Sequence, residues 1–349
     1  MIRVVDAGDV SGIRSQTIYH GLAKLFTPSS YDTVVLARPV DPYFCVGYFQ
    51  DARQELDIDY CRENGIPIVR RETGGGTVFI DRHQLFVQWI FHKSSLPAPV
   101  DERYKMFIQP IVRTYRHLGI NAYYYPVNDI HVDGKKIAGL GGAQIGNAMV
   151  VTGNFLLDFD YATMLAGLNI RDRDMRELSK SEMYRYLTTA SKELGAAPDM
   201  KWLKECYIEN CVATVGKSPF FDDFKPEEID LFERLDAKMS SDEWLFKIKK
   251  TSGEDAKMLK IHSGVWLGYI DYFGRRVRFR MHFDKLSGLE LNKAGKTVAV
   301  TAFDGMKLAE QDIEGYVRRS MQAALIEGLG REDWTEILKK IVQYRQRHG

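Results

Sequence analysis

Three consecutive glycines, Gly74 to Gly76, lie between two extended segments and allow backbone conformations there that other residues do not. Glycine has no Cβ, so such a run tolerates positive φ and lets a ligand approach the backbone closely. The N–H groups of such a turn can bind an oxyanion, and Arg70 and Arg71 add fixed positive charge directly before it. A hairpin turn with two solvated arginines explains the same residues equally well. The run alone therefore leaves both interpretations open.

A second segment, residues 128–139, reads NDIHVDGKKIAG and predicts a hairpin with a tight turn at residues 133–134. Asp129 is suited to a magnesium ion or to ribose hydroxyls, and Lys136 to a phosphate. Lys135 and Lys136 must point to opposite faces of a strand, so only one of them can line a pocket. An exposed hairpin with solvated charges is the alternative interpretation.

A third segment, residues 139–146, reads GLGGAQIG. It lacks the GxxxxGK[ST] pattern of a nucleotide-binding P-loop. It also precedes an extended segment rather than the helix that a dinucleotide fingerprint requires. The composition predicts a loop of small residues that lies along a ligand.

Together these segments resemble the lipoate–protein ligase family, within the wider group of biotin and lipoate ligases. The family pattern of two arginines, two residues and GGG-x-V corresponds to RRETGGGTV at residues 70–78. Its second pattern, an Asn-Asp pair followed by a V-x-G-x-K-[IV]-x-G hairpin, corresponds to residues 128–139. The resemblance covers residues 1–200, and residues 235–244 look like the entry to a small accessory domain of that family.

The resemblance implies an α+β protein with two domains. A mixed-sheet catalytic domain would span residues 1–220, and a smaller α+β accessory domain residues 221–349. The implied enzyme uses ATP and Mg²⁺ to convert lipoate, or octanoate, to an acyl-adenylate. It then transfers the acyl group to a lysine of a lipoyl-domain carrier protein. Biotin is a less suitable acid, because the G-R-G-R-x-G pattern of biotin ligases is absent.

The family's functional residues carry over onto matching positions of this sequence. Lys136 would be catalytic, since attack of a carboxylate on a phosphate joins two anions and needs a fixed cation. Asp129 would place the nucleotide or its magnesium. The residues implied at the acyl-adenylate are Arg71, Thr73, Gly74, Gly75, Gly76, Val78, Phe79, Asn128, Asp129, Gly139 and Ala143. No residue is identifiable as a base for the acceptor lysine.

The sequence departs from the family pattern at Ile80 and Thr152, where histidines are common. Related octanoyltransferases use a cysteine nucleophile shortly before the second pattern, but residues 122–126 contain none. This disfavours transfer through a thioester. An ATP-independent octanoyl or lipoyl transferase nevertheless stays open as an alternative, as does a non-catalytic protein that binds a lipoyl carrier.

The composition argues against several other classes of protein. The 48 Lys and Arg residues nearly balance 47 Asp and Glu, which removes the electrostatic reason to expect nonspecific nucleic-acid binding. No segment approaches the roughly 18 apolar residues of a membrane helix, and residues 1–9 lack the apolar run of a signal peptide. Cys45, Cys61, Cys206 and Cys211 show no zinc spacing. We therefore expect a cytoplasmic protein with reduced core cysteines and no membrane partner.

Hydrophobic periodicity predicts the following elements. In the first part we expect strands at 33–38, 85–91 and 149–157, helices at 56–64, 101–118, 181–193 and 199–213, and an exposed connection at 169–181. In the second part we expect a helix at 226–238, strands at 257–262, 264–272, 276–283 and 297–303, and helices at 309–327 and 332–346.

Overall fold

A computed structural model describes residues 1–97, 99–126, 128–170, 172–249, 256–262, 264–293, 296–307, 313–321 and 325–348. The chain forms two compact units. The first comprises residues 1–176 and 183–249, and the second residues 177–182 and 250–349. Among the described helices, none has the length and apolarity needed to cross a membrane.

The described strands of the first unit form one large and one small sheet. They are β1 (Ile2–Val10), β2 (Thr33–Pro39), β3 (Tyr43–Val46), β4 (Ile68–Arg70), β5 (Val78–Ile80), β6 (Gln84–His92), β7 (Tyr123–Tyr125), β8 (Asp129–Val132), β9 (Lys135–Ile145), β10 (Ala148–Leu156) and β11 (Pro219–Phe221). The large sheet has the order β11-β1-β2-β6-β10-β9-β8-β7, and the small sheet the order β4-β3-β5. Strand β1 is parallel to β11 and β2, whereas the other pairs of the large sheet are antiparallel. The mixed sheet of the predicted α+β fold is confirmed.

Helices cover both faces of the large sheet. The described helices of this unit are α1 (Gly12–Lys24), α2 (Ala52–Glu55), α3 (Ile58–Glu63), α4 (Val100–His117), α5 (Tyr161–Gly167), α6 (Arg173–Tyr186), α7 (Ala190–Leu194), α8 (Met200–Val215), α9 (Pro226–Met239) and α10 (Asp242–Leu245), with a 3₁₀ turn at Lys93–Ser95. Helix α6 also contributes residues 177–182 to the second unit.

Strand β6 has apolar side chains on both faces because each face is covered. Leu85 and Trp89 belong to the core that α4 and α8 complete. Phe86 and Ile90 belong to the core that α1 and α9 complete. Successive residues of a strand point to opposite faces, so a central strand buried on both sides reads as an uninterrupted apolar run.

Helix α9 belongs to the first unit, although the sequence places it in the second. Its Phe232 ring lies so close to α1 that a Cβ built on Gly21 would come within 2.5 Å of a ring carbon. The Asp236 carboxylate of α9 accepts hydrogen bonds from Arg14 Nε and Thr17 Oγ1 of α1. The compact units therefore divide at 249/250 rather than at the predicted 220/221.

The second unit contains an antiparallel sheet whose strands follow one another in chain order. Its described elements are β12 (Ala256–His262), β13 (Val265–Tyr272), β14 (Arg275–His282), β15 (Lys285–Lys293), β16 (Lys296–Ala299), α11 (Ile313–Ser320) and α12 (Arg331–His348), with a 3₁₀ turn at Thr301–Phe303. Trp334 and Ile337 of α12 pack with Val277 and Phe279 of β14 in the core of this unit.

Most of the predicted elements are confirmed within two residues at each end, namely β2, β6, α3, α4, α8, α9, β10, β12, β13, β14 and α12. The exposed connection predicted at 169–181 is wrong, because α6 starts at Arg173, where the Asp172 side chain accepts a hydrogen bond from Met175 N–H. The helix predicted at 181–193 is instead the end of α6 followed by α7. The strand predicted at 297–303 ends at Ala299. Of the helix predicted at 309–327, residues 309–312 and 322–324 lie outside the described residues, and the described helix α11 ends at Ser320 rather than at 327.

Candidate active site

A tight turn joins β8 to β9 and brings together Asp129 and Lys136 of the second sequence motif, residues 128–139. Asp133 and Gly134 both have positive φ, 46° and 80°, as a two-residue hairpin turn with right-handed strand twist requires. The predicted turn is confirmed. In the resulting register Asp129 stands opposite Gly139.

Lys136 and Asp129 form an ion pair at this hairpin. The Lys136 Nζ lies 2.9 Å from Asp129 Oδ1, and the carboxylate side chain is only 1% exposed, against 26% for the lysine. A buried carboxylate needs a compensating partner, and the ammonium provides it while one part of the lysine faces solvent. Lys135, the residue that precedes Lys136 in the strand, is exposed.

Gly139 forms the floor beneath this ion pair. A Cβ built on Gly139 would lie 2.8 Å from Lys136 Nζ and 3.4 Å from Asp129 Oδ1, so any side chain there would displace the lysine. Asn128 binds both backbone groups of Leu140, the residue that follows Gly139. Its carbonyl accepts a hydrogen bond from Leu140 N–H, and its carboxamide donates one to the Leu140 carbonyl.

The segment predicted as a loop of small residues, 139–146, is strand as far as Ile145. Residues from Leu140 to Ile145 pair with β10 in a continuous register. Glycines normally weaken a strand, but pairing with β8 as far as Gly139 and with β10 from Leu140 onward holds β9 extended. Ala143 lies in this strand opposite Val150 and packs against the core beneath α1.

Residues 71–77 connect β4 to β5, and we call them the glycine loop; this loop is built around the side chain of Arg71. Its guanidinium donates hydrogen bonds to the carbonyls of Gly74 (2.9 Å), Gly76 (2.7 Å) and Cys45 (3.1 Å). Gly75 has φ +99°, and a Cβ there would lie 2.9 Å from Arg71 Nη2. Arg71 therefore shapes the loop, and its contact with an acyl-adenylate stays a prediction.

Arg70 is fully buried, so the interpretation of two solvated arginines is wrong. Its guanidinium donates to the carbonyls of Gly47, Tyr48, Gln50 and Leu245. Burial lowers the pKa of this guanidinium. The side chain joins the start of the glycine loop to the end of α10.

The remaining residues of the first motif differ in their access to solvent. A Cβ built on Gly74 or Gly76 meets no atom within 4 Å, so both positions are open to a ligand. Thr73 is buried, and its carbonyl accepts a hydrogen bond from Tyr48 N–H at 3.0 Å. Val78 is 41% exposed, whereas Phe79 is buried at 3%.

His20 is a residue of this region that the sequence analysis missed. It is fully buried on α1, its Nδ1 lies 2.6 Å from the Gln16 carbonyl, and its Nε2 accepts a hydrogen bond from Glu72 N–H at 3.0 Å. Burial lowers the pKa of His20 to about 4, so the ring is neutral at neutral pH. No local sequence pattern marks this role, because both partners of the ring are backbone groups, the Gln16 carbonyl and the distant Glu72 N–H.

The arrangement thus consists of a cation on a buried carboxylate and, in the small sheet, an open glycine loop. A sequence model of the lipoyl protein ligase A/B catalytic domain matches residues 18–211, more than half of the chain. The protein belongs to this family. Its relatives include a lipoate-protein ligase A subunit 1 of Thermoplasma acidophilum, 32% identical over 57% of this chain and 79% of the relative. An octanoyltransferase LipM of Lysinibacillus sphaericus is 27% identical over 58% of this chain and 82% of the relative.

One solved structure has a similar fold. It is a bi-partite lipoate protein ligase of Thermoplasma acidophilum, described together with its E2 lipoyl domain. It superposes with a TM-score of 0.65 over 72% of this chain and 98% of the other, at 22% identity. At that identity the similarity establishes the fold.

Proposed function

We propose that the protein is a lipoate–protein ligase, which converts lipoate, or octanoate, to an acyl-adenylate with ATP and transfers the acyl group to a lysine of a lipoyl-domain carrier. The observation that carries this proposal is the ammonium of Lys136, held 2.9 Å from the buried carboxylate of Asp129. Membership of the lipoyl protein ligase family supports the class of reaction.

The first half-reaction needs a fixed cation. An oxygen of the acid attacks the α-phosphorus of ATP, a mixed anhydride forms, and the bond to pyrophosphate breaks. Negative charge accumulates at the phosphoryl oxygens, where a preorganised cation in a water-poor site is most effective. We assign this role to Lys136, with the open glycines 74 and 76 beside the acid and the nucleotide.

In the second half-reaction the acceptor amine attacks the activated carbonyl. A carbon–nitrogen bond forms, AMP leaves with the electron pair of the broken carbon–oxygen bond, and the amine loses its proton to solvent. Lys136 again faces the developing charge. The E2 lipoyl domain described with the Thermoplasma ligase supports a lipoyl domain as the acceptor here.

Magnesium enters this proposal with the ATP phosphates, as part of the substrate. Asp129 is 1% exposed and already compensates Lys136, which favours an anchoring role over that of a magnesium ligand. Among the described residues, no group of three or more His, Cys, Asp or Glu side chains has an arrangement that could hold a metal. Mg²⁺ commonly relies on substrate phosphates rather than on a cage of protein ligands.

The similarity to an octanoyltransferase makes ATP-independent acyl transfer the second candidate function. A thioester mechanism needs a thiolate, but all four cysteines are buried free thiols. Burial raises the pKa of each of these thiols. Cys45 lies nearest the glycine loop, where Arg71 Nη1 is 3.5 Å from its sulfur. This chemistry favours the ligase over the thioester route.

The test is carboxylate-dependent exchange of pyrophosphate into ATP, with lipoate, octanoate and biotin compared. We expect exchange with lipoate or octanoate, and a loss of at least about 100-fold for Lys136→Ala. Lys135→Ala is the matched control, because this exposed neighbour carries the same charge on the same strand. Wild-type activity that survives in Lys136→Ala would contradict the role of the lysine.

No exchange with any acid would contradict the ligase proposal itself. Transfer of an octanoyl group from an acyl-carrier thioester would then be measured for wild type and Cys45→Ser. Transfer that is abolished by the serine variant would establish the second candidate. Binding of a lipoyl domain without either activity would establish the non-catalytic alternative.

A further inference from the structure

Two carboxamide side chains connect the two sequence motifs. Gly139 N–H donates a hydrogen bond to Asn154 Oδ1 at 3.3 Å. Asn154 Nδ2 donates to Gln84 Oε1 at 2.8 Å, and Gln84 Nε2 donates to the Phe79 carbonyl at 3.0 Å. We call Asn154 and Gln84 the carboxamide relay. It joins β9 of the large sheet to β5 of the small sheet.

The direction of these hydrogen bonds follows from the two backbone groups at the ends. Phe79 offers only a carbonyl, so the NH₂ group of Gln84 must face it. Gly139 offers only an N–H, so the carboxamide oxygen of Asn154 must face that end. The inner halves of the two side chains are then an oxygen and an NH₂ group, which match. A carboxylate at either position cannot satisfy both neighbours.

The carboxamide relay begins where ordinary strand pairing ends. The register of β9 with β10 runs from Ile145 back to the pair of Leu140 with Gly153. Gly139, the residue that precedes Leu140, lies just outside it. The Asn154 side chain takes the Gly139 N–H that continued pairing would otherwise have engaged. Gln84 is 2% exposed, so water does not compete for its hydrogen bonds.

Gly139 is the residue on whose position Lys136 depends. Its Cα hydrogens face the ammonium so closely that a Cβ would come within 2.8 Å of Nζ. A shift of Gly139 therefore shifts the surface against which the lysine and Asp129 rest. At the other end, Phe79 follows the exposed Val78 in the strand that leaves the glycine loop.

We propose that Asn154 and Gln84 are positioning residues, which hold the Lys136 ammonium in register with the strand that leaves the glycine loop. Neither side chain touches the ammonium; both act through backbone atoms. The inference rests on the proposed function for its kinetic consequence, because that function places the acid and the phosphate at these two motifs.

The first experiment measures kcat and KM of pyrophosphate exchange for Asn154→Asp and Gln84→Glu, which are close in shape to the native residues. Misplacement of a catalytic group by about 1 Å costs up to about 100-fold, so we expect kcat to fall about 10- to 100-fold. KM for ATP and for the acid should change less than about threefold, because the groups that bind them remain.

Asn210→Asp is the matched control for a loss of stability alone. Asn210 is a buried carboxamide of α8 in the same unit, and its NH₂ group donates to Thr114 Oγ1 and to the Cys206 carbonyl. This variant should lower the melting temperature about as much as the relay variants and leave kcat near the wild-type value. An equal fall of kcat in Asn210→Asp would overturn the proposal.

The double variant Asn154→Leu with Gln84→Leu adds a test of connection. If the two side chains act as one unit, the double variant loses about as much kcat as either single leucine variant. Losses that multiply would contradict the carboxamide relay. A single leucine variant with wild-type kcat would contradict it as well.

Hydrogen exchange of the Gly139 amide gives a readout that needs no activity. Exchange should accelerate at least about tenfold in Asn154→Leu and Gln84→Leu and stay unchanged in Asn210→Asp. Unchanged exchange in the relay variants would overturn the proposal. A wild type without pyrophosphate exchange would instead contradict the proposed function, and the same variants would then be compared in acyl transfer from a thioester donor.

Discussion

Gly139 illustrates how a single residue can be required for space rather than for backbone freedom. It lies in a strand with ordinary φ, yet a methyl group there would occupy the volume of the Lys136 ammonium. Gly141, two residues along the same strand, is different. A Cβ at that position would lie 4.0 Å from Thr152 Oγ1, its nearest contact.

We therefore expect Gly139→Ala to lose most of its pyrophosphate exchange and Gly141→Ala to retain it. The alanine methyl forces Lys136 away from Asp129, and displacement of such a cation lowers the rate about 100-fold. Exchange rates at saturating ATP and acid provide the measurement, with melting temperatures to compare stability. Equal activity of the two variants would show that the volume at Gly139 is not needed.

The sequence predicts some side-chain partners of the candidate site and not others. The ion pair of Lys136 with Asp129 follows from a short hairpin whose turn is readable from an Asp-Gly pair. The partners of Arg70 are carbonyls from residues 47–50 and from Leu245, far away in the chain. No local pattern encodes such contacts, so both arginines could be interpreted as solvated or as ligand-binding.

Among the elements, helix α1 supports the glycine loop through a titratable group. The neutral ring of His20 accepts a hydrogen bond from Glu72 N–H, two residues before Gly74. Burial lowers the pKa of His20 to about 4 from an ordinary value of 6.5. Between these values the unfolded chain binds a proton that the folded chain does not, so acid favours unfolding.

This contribution to stability is present above pH 6.5 and is lost as the pH falls towards 4. From the shift, we expect His20 to account for about 2 kcal/mol of the free energy of unfolding lost between pH 7.5 and pH 5. His20→Gln keeps a hydrogen-bond acceptor and removes the titration, so its loss over the same interval should be smaller by that amount. Urea unfolding at both pH values measures the difference. Identical pH dependence in the two proteins would contradict a buried neutral His20.

The errors at the element scale have identifiable physical causes. Helix α6 is rich in charge, and its helical start depends on the cap that Asp172 supplies rather than on an apolar stripe. Strand β9 contains three glycines between residues 139 and 142, which is typical of a loop, but pairing with β8 up to Gly139 and with β10 from Leu140 holds it extended. Elements with strong apolar patterns, such as β6 and α4, were predictable because their own side chains form the core.

For the whole molecule, the position of α9 decides which part of the chain can fold alone. Phe232, Leu235 and Met239 of α9 are buried, and Phe232 and Met239 lie in the core beneath α1. A fragment of residues 1–249 keeps this layer, whereas residues 1–220 lose it. Exposure of three such side chains and their partners costs about 5 kcal/mol or more, comparable to the stability of a domain.

We expect residues 1–249 to unfold cooperatively in urea and residues 1–220 to show a broad, non-cooperative transition. Circular dichroism and tryptophan fluorescence should coincide for the first fragment and diverge for the second. The full chain provides the reference. A shared midpoint for the two fragments would mean that the first unit ends at 220, as its sequence predicts.

The parallel pairing of β1 with β11 has a consequence for synthesis on the ribosome. Ile2 pairs with Pro219 and Val4 with Phe221, so β1, which leaves the ribosome before the other strands of the large sheet, finds its outer partner last among them. Until residue 221 has emerged, the nascent protein presents β1 as an open parallel edge. Such edges favour intermolecular association, which makes β1 the segment that a chaperone would need to shield during translation.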